Sequence, residues 1–525
     1  MKKLQIAVFT VFLFFTAKAQ LNIIEAGKYP TVYPLSDVWG YADSQSNEYA
    51  LVGVYNGFSI VDVTDPSNLY EVYFEDGVES IWRDIKTWQD YAYVSTEGGG
   101  GILIVDLSPL PGSITNTNYF TGSTFPFSSV HNIYIDEFGK LYIFGSDNGV
   151  GGAIICDLTT DPMNPVELGR FDDYYFHDGM ARGDTLWGAA IYEGVFSAVD
   201  VSDPSTPIVM GTKSTPNNFT HNTWISDNGK FLFTTDEVED GYIGAYDVSD
   251  LDNIVETDRV QSNPGSLVIP HNVHVLDDYI VTSYYRDGIT VHDAKRPHNL
   301  IEVGNYDTSP EFFGPGFNGS WGAYPFLPSG NILASDIEEG LYVLTPEYVR
   351  GCYLEGSVID SITGLSINNV EVKILTTEYS ESTNFTGEFA FGTPTAGVYD
   401  IEFYHPGYNT KVIEEVSLEN GVLTEIHVEL SSWFTNIDNE LLSSQLTAGP
   451  NPFNESINLH YRLGDKLSSD ARISIYSTGG LLLEEHKINS QESSLRIGSG
   501  LSSGIYIVKL HNANTAVAPI RIQKL

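Results

Sequence analysis

A phrase that returns about every 45 residues constrains this chain more than any other feature, because a repeat of that length is one supersecondary unit that cannot bury its apolar face alone. The phrase is a Gly-containing turn, a short apolar strand, an Asp and then Ser or Thr, often with Asp-Pro. It reads Asn56-Gly57-Phe58-Ser59-Ile60-Val61-Asp62-Val63-Thr64-Asp65-Pro66 first, then Gly101 to Ser108, Ala153 to Thr159, Val195 to Pro204 and Tyr242 to Asp250. A sixth copy, Ile289 to Asp293, is worn, and a seventh, Leu341 to Thr345, has lost the Asp. Each copy follows two apolar runs parted by a polar turn, such as His221 to Ile225 and Lys230 to Thr235 around Asp227-Asn228-Gly229, and precedes one more run, such as Pro207 to Gly211. Four short strands per unit with no sustained helical period predict an all-β chain whose residues 20–346 form a seven-bladed β-propeller. The seventh unit lacks its outer strand. Asn22 to Tyr29 parallels Asn299 to Tyr306, the outer strand of the sixth unit, so residues 22–29 are expected to complete the seventh blade and close the ring.

The ends of the chain read differently. Met1-Lys2-Lys3, an apolar run from Ile6 to Phe15 and Ala17-Lys18-Ala19 form a removable signal peptide, residues 1–19. No later stretch has the roughly 20 apolar residues of a membrane helix, so no spanning anchor is expected in the mature chain. Lys+Arg 26 against Asp+Glu 69 gives 26 − 69 = −43, a balance that repels nucleic acid and anionic lipid alike. The two cysteines, Cys156 and Cys352, supply no disulfide framework, and their pairing is open at this level.

The strand Phe58 to Asp62 and its copy Ile102 to Asp106 resemble the LVIVD repeat, and residues 22–346 resemble the choice-of-anchor B family of secreted propeller proteins. That resemblance implies a propeller and export and supplies no established substrate. Residues 351–430, with Glu355 to Asp360, Thr386-Gly387-Glu388-Phe389 and His405-Pro406-Gly407-Tyr408, resemble a carboxypeptidase regulatory-like domain, a small β-sandwich serving as a spacer with no catalytic zinc ligands implied. Residues 431–446 are polar and read as a linker. Residues 447–525 resemble the type A C-terminal sorting domain of the type IX (Por) secretion system, through Pro450-Asn451-Pro452-Phe453 and Leu501-Ser502-Ser503-Gly504-Ile505-Tyr506. Gly449 stands where that family usually opens with Tyr or Phe. The resemblance implies a β-sandwich that engages the type IX machinery and is removed, with the product released or attached to the outer cell surface.

Chemistry concentrates at the start of each unit's first strand. Four consecutive units carry His131-Asn132, His177-Asp178, His221-Asn222 and His271-Asn272 there, and counting back from the later turn puts Trp39, Trp82 and Trp321 in the other three. The interval to the turn glycine is 18 residues for Trp39 to Gly57 and for His131 to Gly149, and 17 for His177 to Gly194 and His271 to Gly288. Equivalent positions on seven blades form a ring, so four imidazoles and three indoles are expected to converge on one channel mouth. Three arrangements fit: hydrogen bonds between neighbouring blades, a Zn or Cu site on the imidazoles with Asp178 as ligand or orienter, or an organic ligand pocket walled by the indoles.

The acidic loops Asp236 to Gly241 and Asp336 to Gly340 suit Ca²⁺ by composition, but other units hold Asn-Gly or Asp-Gly in that slot, which is turn chemistry. Asp62, Asp106, Asp157, Asp200 and Asp247 are expected to cap turns. No Gly-x-Ser-x-Gly, P-loop, Cys-x-x-Cys or His-Glu-x-x-His motif is present. The expected function is therefore binding of an extracellular protein or glycan, with a metal-dependent enzyme built on the histidine ring as the alternative.

Overall fold

The computed structural model describes residues 20–432, 445–463, 467–512 and 519–525; the leader and most of the linker lie outside the described residues. The chain divides into two units, Met1–Gly351 and Cys352–Leu525.

Seven antiparallel four-stranded sheets make up the first unit as a β-propeller, six of them from consecutive strands. The innermost strands are Leu35–Ala42, Ile85–Trp88, Asn132–Ile135, Asp178–Arg182, Thr220–Ile225, Val273–Leu276 and Ser320–Tyr324. The seventh sheet takes its outer strand, Ile23–Tyr29, from the far end of the unit, paired antiparallel with Gly340–Pro346. That pairing leaves no unpaired edge at the closure.

The repeat phrase is explained strand by strand. Inner strands such as Thr185–Ala190 and Val195–Asp200 are almost wholly buried because both sheet faces pack against neighbouring blades, so they read as continuous apolar runs. The outer strand Ile208–Ser214 alternates exposed and half-buried residues. Cores form between adjacent blades, for example Leu51, Phe58 and Ile60 with Ile85, Ala92 and Val94. Each fully buried aliphatic or aromatic side chain there contributes about 1.5–3 kcal/mol.

The aspartates that end the third strands are turn caps. Asp62 Oδ1 accepts from Thr64 N at 3.0 Å, Asp106 from Ser108 N at 3.0 Å, Asp200 from Ser202 N at 2.9 Å and Asp247 from Ser249 N at 2.9 Å. The residues after them lock blade to blade. A β-bulge recurs in the pairing of third and outer strands, between Ile155/Cys156 and Ala198/Val199, and a glycine of the outer strand lies under the next blade's Asp-Pro loop. A Cβ on Gly169 would meet Pro204 O at 1.8 Å, and one on Gly27 would meet Pro66 O at 2.0 Å. Gly27 belongs to the closing strand and Pro66 to the first blade, so the joint between seventh and first blades uses the same contact as those inside the ring.

In the second unit, residues 352–430 form a sandwich of one three-stranded and one four-stranded sheet, with Cys352–Asp360 central to the first. The C-terminal segment forms a second such pair of sheets around Ile457, Leu459, Ile473, Ile475 and Val508. Cys156 and Cys352 are both buried free thiols. No helix among the described residues is long and apolar enough to cross a membrane.

Candidate functional site

Strand register fixes which residues are equivalent around the axis. Asn132 pairs with Phe144, Asp178 with Ala189, Asn222 with Thr235 and Gly322 with Ser335. Ser95 N donates to Asp84 O and Ser283 N to Asn272 O, which puts Asp84 and Asn272 at the same level. The residues before them, Arg83, His131, His177, His221, His271 and Trp321, form the row at the mouth, and Ser36 holds the place in the first blade. The structure thus brings the four histidines and Trp321 together and corrects the other two indoles. Trp82 is one residue early, though it still borders the central cavity. Trp39 lies three residues deeper, because the turn of residues 43–47 in the first blade is three residues longer than the two-residue turn of the fourth, so counting back 18 residues from Gly57 stops short of Ser36.

Each layer has its own chemistry. In the outermost, ring centroids are 3.9 Å apart for His131 and His177, 4.5 Å for His177 and His221, 4.6 Å for His221 and His271, and 5.1 Å for His271 and Trp321. Beneath it the Asn/Asp residues tie blade to blade. Asp84 Oδ2 accepts from Ile133 N at 2.9 Å and Asn222 Oδ1 from Val273 N at 3.0 Å, while Asp178 Oδ2 accepts from Asn132 and Asn222 amides at 3.2 and 2.9 Å. Inter-blade hydrogen bonding is therefore the work of this layer, including Asp178. Deeper still, Trp39, Trp224, His274 and Phe326 fill the channel, with Trp224 and His274 at 4.6 Å and Trp224 and Phe326 stacked at 5.7 Å. Lys86 enters this layer from below Asp84: its Nζ is 2.6 Å from Asp84 Oδ1, 3.8 Å from Asp37 Oδ2 and 4.4 Å from the Trp39 ring.

Two carboxylates join the histidines from just beyond second strands: Glu97, which the sequence did not single out, and Glu237 of the acidic loop that composition suited to Ca²⁺. Glu97 and Glu237 each lie two residues beyond the residue that pairs with the Asn/Asp layer, Ser95 and Thr235, and Tyr285 holds that slot after Ser283. His131 Nδ1 is 2.6 Å from Glu97 Oε1. Glu237 accepts from Tyr285 Oη at 2.7 Å and stands 3.5 Å from His221 Nε2 and 3.8 Å from His271 Nε2. Donor atoms of His131, His177 and His221, and likewise of His221, Glu237 and His271, all lie within 4.8 Å of one another. The first aspartate of each acidic loop is architectural: Asp236 accepts from Thr215 Oγ1 and Asn217 N, and Asp336 from Thr308 and Ser309 hydroxyls.

Burial decides the charge states. It holds His221 and His271 down to about 3 and His177 well below its usual value, helped by the neighbouring imidazoles. Burial, then the charge of Asp84, raises Asp37 well above the carboxylate range and Asp178 to about 6. A cavity of about 20 Å³ lined by Asp37, Asp178, His221 and His271 among others has room for one water or one ion. Glu237 also borders a groove of about 600 Å³ walled by Phe219, Val238, Ile269 and Phe317.

Comparison with known proteins assigns the parts. Residues 44–74, 82–115 and 191–215 match the LVIVD repeat, 353–431 the carboxypeptidase regulatory-like domain, and 449–522 the secretion system C-terminal sorting domain. The last match puts the protein on the type IX route to the outside of the cell or its surface. The β-propeller domain of Myceliophteria thermophila Cps50 (Swd1) is 12% identical with a TM-score of 0.43, over 62% of this chain and 99% of that one. No curated protein matches the chain.

Proposed function

We propose that the exported propeller is a binding protein whose channel-mouth face captures a positively charged segment of an extracellular protein. The observation that carries this reading is the groove of about 600 Å³ beside the mouth, aromatic and aliphatic on its walls and ending on Glu237 and Glu239. Its size falls in the range of ligand clefts. Phe317 is 56% exposed on the groove wall, and Trp82 and Tyr192 are also exposed, a supply of rings for cationic and apolar side chains. The cation next to the groove, Arg286, is held by the carbonyls of Phe313 and Pro315 and by Asn318 Oδ1, so it does not neutralise the glutamates. A balance of −43 over the whole chain steers cationic partners inward, whereas a neutral glycan gains nothing from it.

Peptide and glycan arrays probed with the purified protein test the reading. A set of Arg- or Lys-containing peptides is expected to bind, and Phe317→Ala or Glu239→Gln to weaken capture by about 10-fold or more, as loss of a central contact does. Glycan binding without peptide binding, or equal binding by both variants, refutes it.

A further inference from the structure

Beyond the groove, we infer that His221, His271 and Glu237 are the ligands of one Zn²⁺ ion seated at the channel mouth, with a fourth coordination position left free. Three observations lead there. The first is the tautomer of His271. Its Nδ1 is 2.5 Å from Trp321 O, and a carbonyl only accepts, so Nδ1 carries the proton and the neutral ring presents a lone pair at Nε2. That lone pair faces Glu237 Oε1 at 3.8 Å. Two electron-rich atoms facing one another inside a protein call for a cation between them. A histidine whose far nitrogen donates to a carbonyl or carboxylate is also how metal sites orient their imidazoles.

The second observation is distance. Glu237 Oε2 is 3.5 Å from His221 Nε2 and Oε1 is 3.8 Å from His271 Nε2, too long for good hydrogen bonds. Ligand atoms on one tetrahedral zinc stand roughly 3.4 Å apart for bonds of about 2.0–2.1 Å, and one donor atom from each of these three residues already lies within 4.8 Å of the others. Tyr285 Oη, bonded to Glu237 Oε1 at 2.7 Å, holds the carboxylate in place. His221 is buried beside it, 3% exposed, with its ring hydrogen-bonded to the His271 backbone.

The third is charge. Glu97 and Glu237 stand at the mouth and Asp84 and Asp178 in the layer beneath it, against the cations Lys86 and Arg83. Arg83 Nε is spent on Val54 O. A divalent ion offsets the surplus of carboxylates, and the 20 Å³ cavity admits an ion and excludes a sugar or peptide side chain. Two imidazoles and a carboxylate suit zinc in preference to the all-oxygen shell of Ca²⁺ or Mg²⁺. Because Glu237 lines the groove, the free position opens toward it.

The test uses the purified full chain, stripped with a chelator and titrated with Zn²⁺ by calorimetry, with Co²⁺ as a spectroscopic substitute. One Zn²⁺ per chain is expected, with visible bands of a tetrahedral cobalt site. Glu237→Gln and His271→Ala should each weaken binding by about 100-fold or more, and Tyr285→Phe by about 10-fold. Glu237→Gln is isosteric, and a far-UV spectrum and melt like those of the parent chain separate ligand loss from misfolding. Absence of stoichiometric Zn²⁺, retention of full affinity in both ligand variants, or loss in His131→Ala with retention in His271→Ala overturns the assignment. Zinc binding is read on the chain without peptide and peptide capture on the chelator-stripped chain, so failure of peptide capture and failure of the metal site are told apart.

Discussion

Lys86→Met isolates the buried charge layer beneath the histidines. The ammonium lies 2.6 Å from Asp84 and 3.8 Å from Asp37, with both carboxylates and the amine almost fully buried. Methionine keeps the length of the stem and removes the charge, so the variant leaves two buried carboxylates facing one another without a counter-ion. Breaking a buried ion pair from one side costs about 3–5 kcal/mol. A unit of about 330 residues unfolds with an entropy near 0.7 kcal/mol/K, so the expected fall in Tm is roughly 4–7 °C at neutral pH. The sign of the pH dependence follows from Asp37. Burial and the charge of Asp84 already raise its pKa, and Lys86 opposes them. Without Lys86 the folded-state pKa rises further, so the folded form takes up a proton that the unfolded form does not. The deficit is therefore largest above that pKa and shrinks as pH falls through it. Calorimetry of both proteins at pH 7.5 and 4.5 measures it, and Lys86→Met/Asp84→Asn should recover part of the loss. A variant that melts within 1 °C of the parent at pH 7.5, or with the same deficit at both values, refutes the reasoning.

Three further outcomes are expected. Removing residues 20–32 takes away the outer strand of the seventh blade and its contact with Pro66, so thermal denaturation should drop sharply; unchanged melting would mean the ring does not depend on this closure. Gly169→Ala places a Cβ 1.8 Å from Pro204 O, backbone against backbone, and should lower Tm by several degrees in a scan of the purified chain; neutrality would count against the inter-blade contact. In chelator-treated protein, His177, His221, His271 and His274 all have folded pKa values below the usual 6.5, so the unfolded state binds more protons as pH falls from 6.5 toward 3. Stability should be held above pH 6.5 and lost through that window, opposed in part by protonation of Asp178 near 6; melting that is flat or rises from pH 6.5 to 4 contradicts the burial of neutral imidazoles.

Sequence alone determined the architecture, because a repeat that cannot bury itself has to be buried by its copies, and the Asp caps, Asp-Pro turns and outer-strand glycines each serve a contact made once per blade. It also located the four histidines, since each opens a repeat. It determined the export route, through a sorting motif that is read as a local signal. Tertiary structure decided the site. Trp39 fell out of the row because a longer hairpin turn changes how residues count along the first blade, and Trp82 because the row residue of its blade is Arg83; only pairing partners report true equivalence. Glu97, Glu237 and Tyr285 were not legible as partners of the histidines because they lie just beyond the second strands, and only the packing of adjacent blades brings Glu97 to His131 and Glu237 to both His271 and Tyr285. Asp178, adjacent to His177 in sequence, turned to the blade-to-blade layer because successive strand residues point to different surroundings. A row of repeated imidazoles is a sequence property; the carboxylate that faces their lone pairs is set by how seven blades close around one channel.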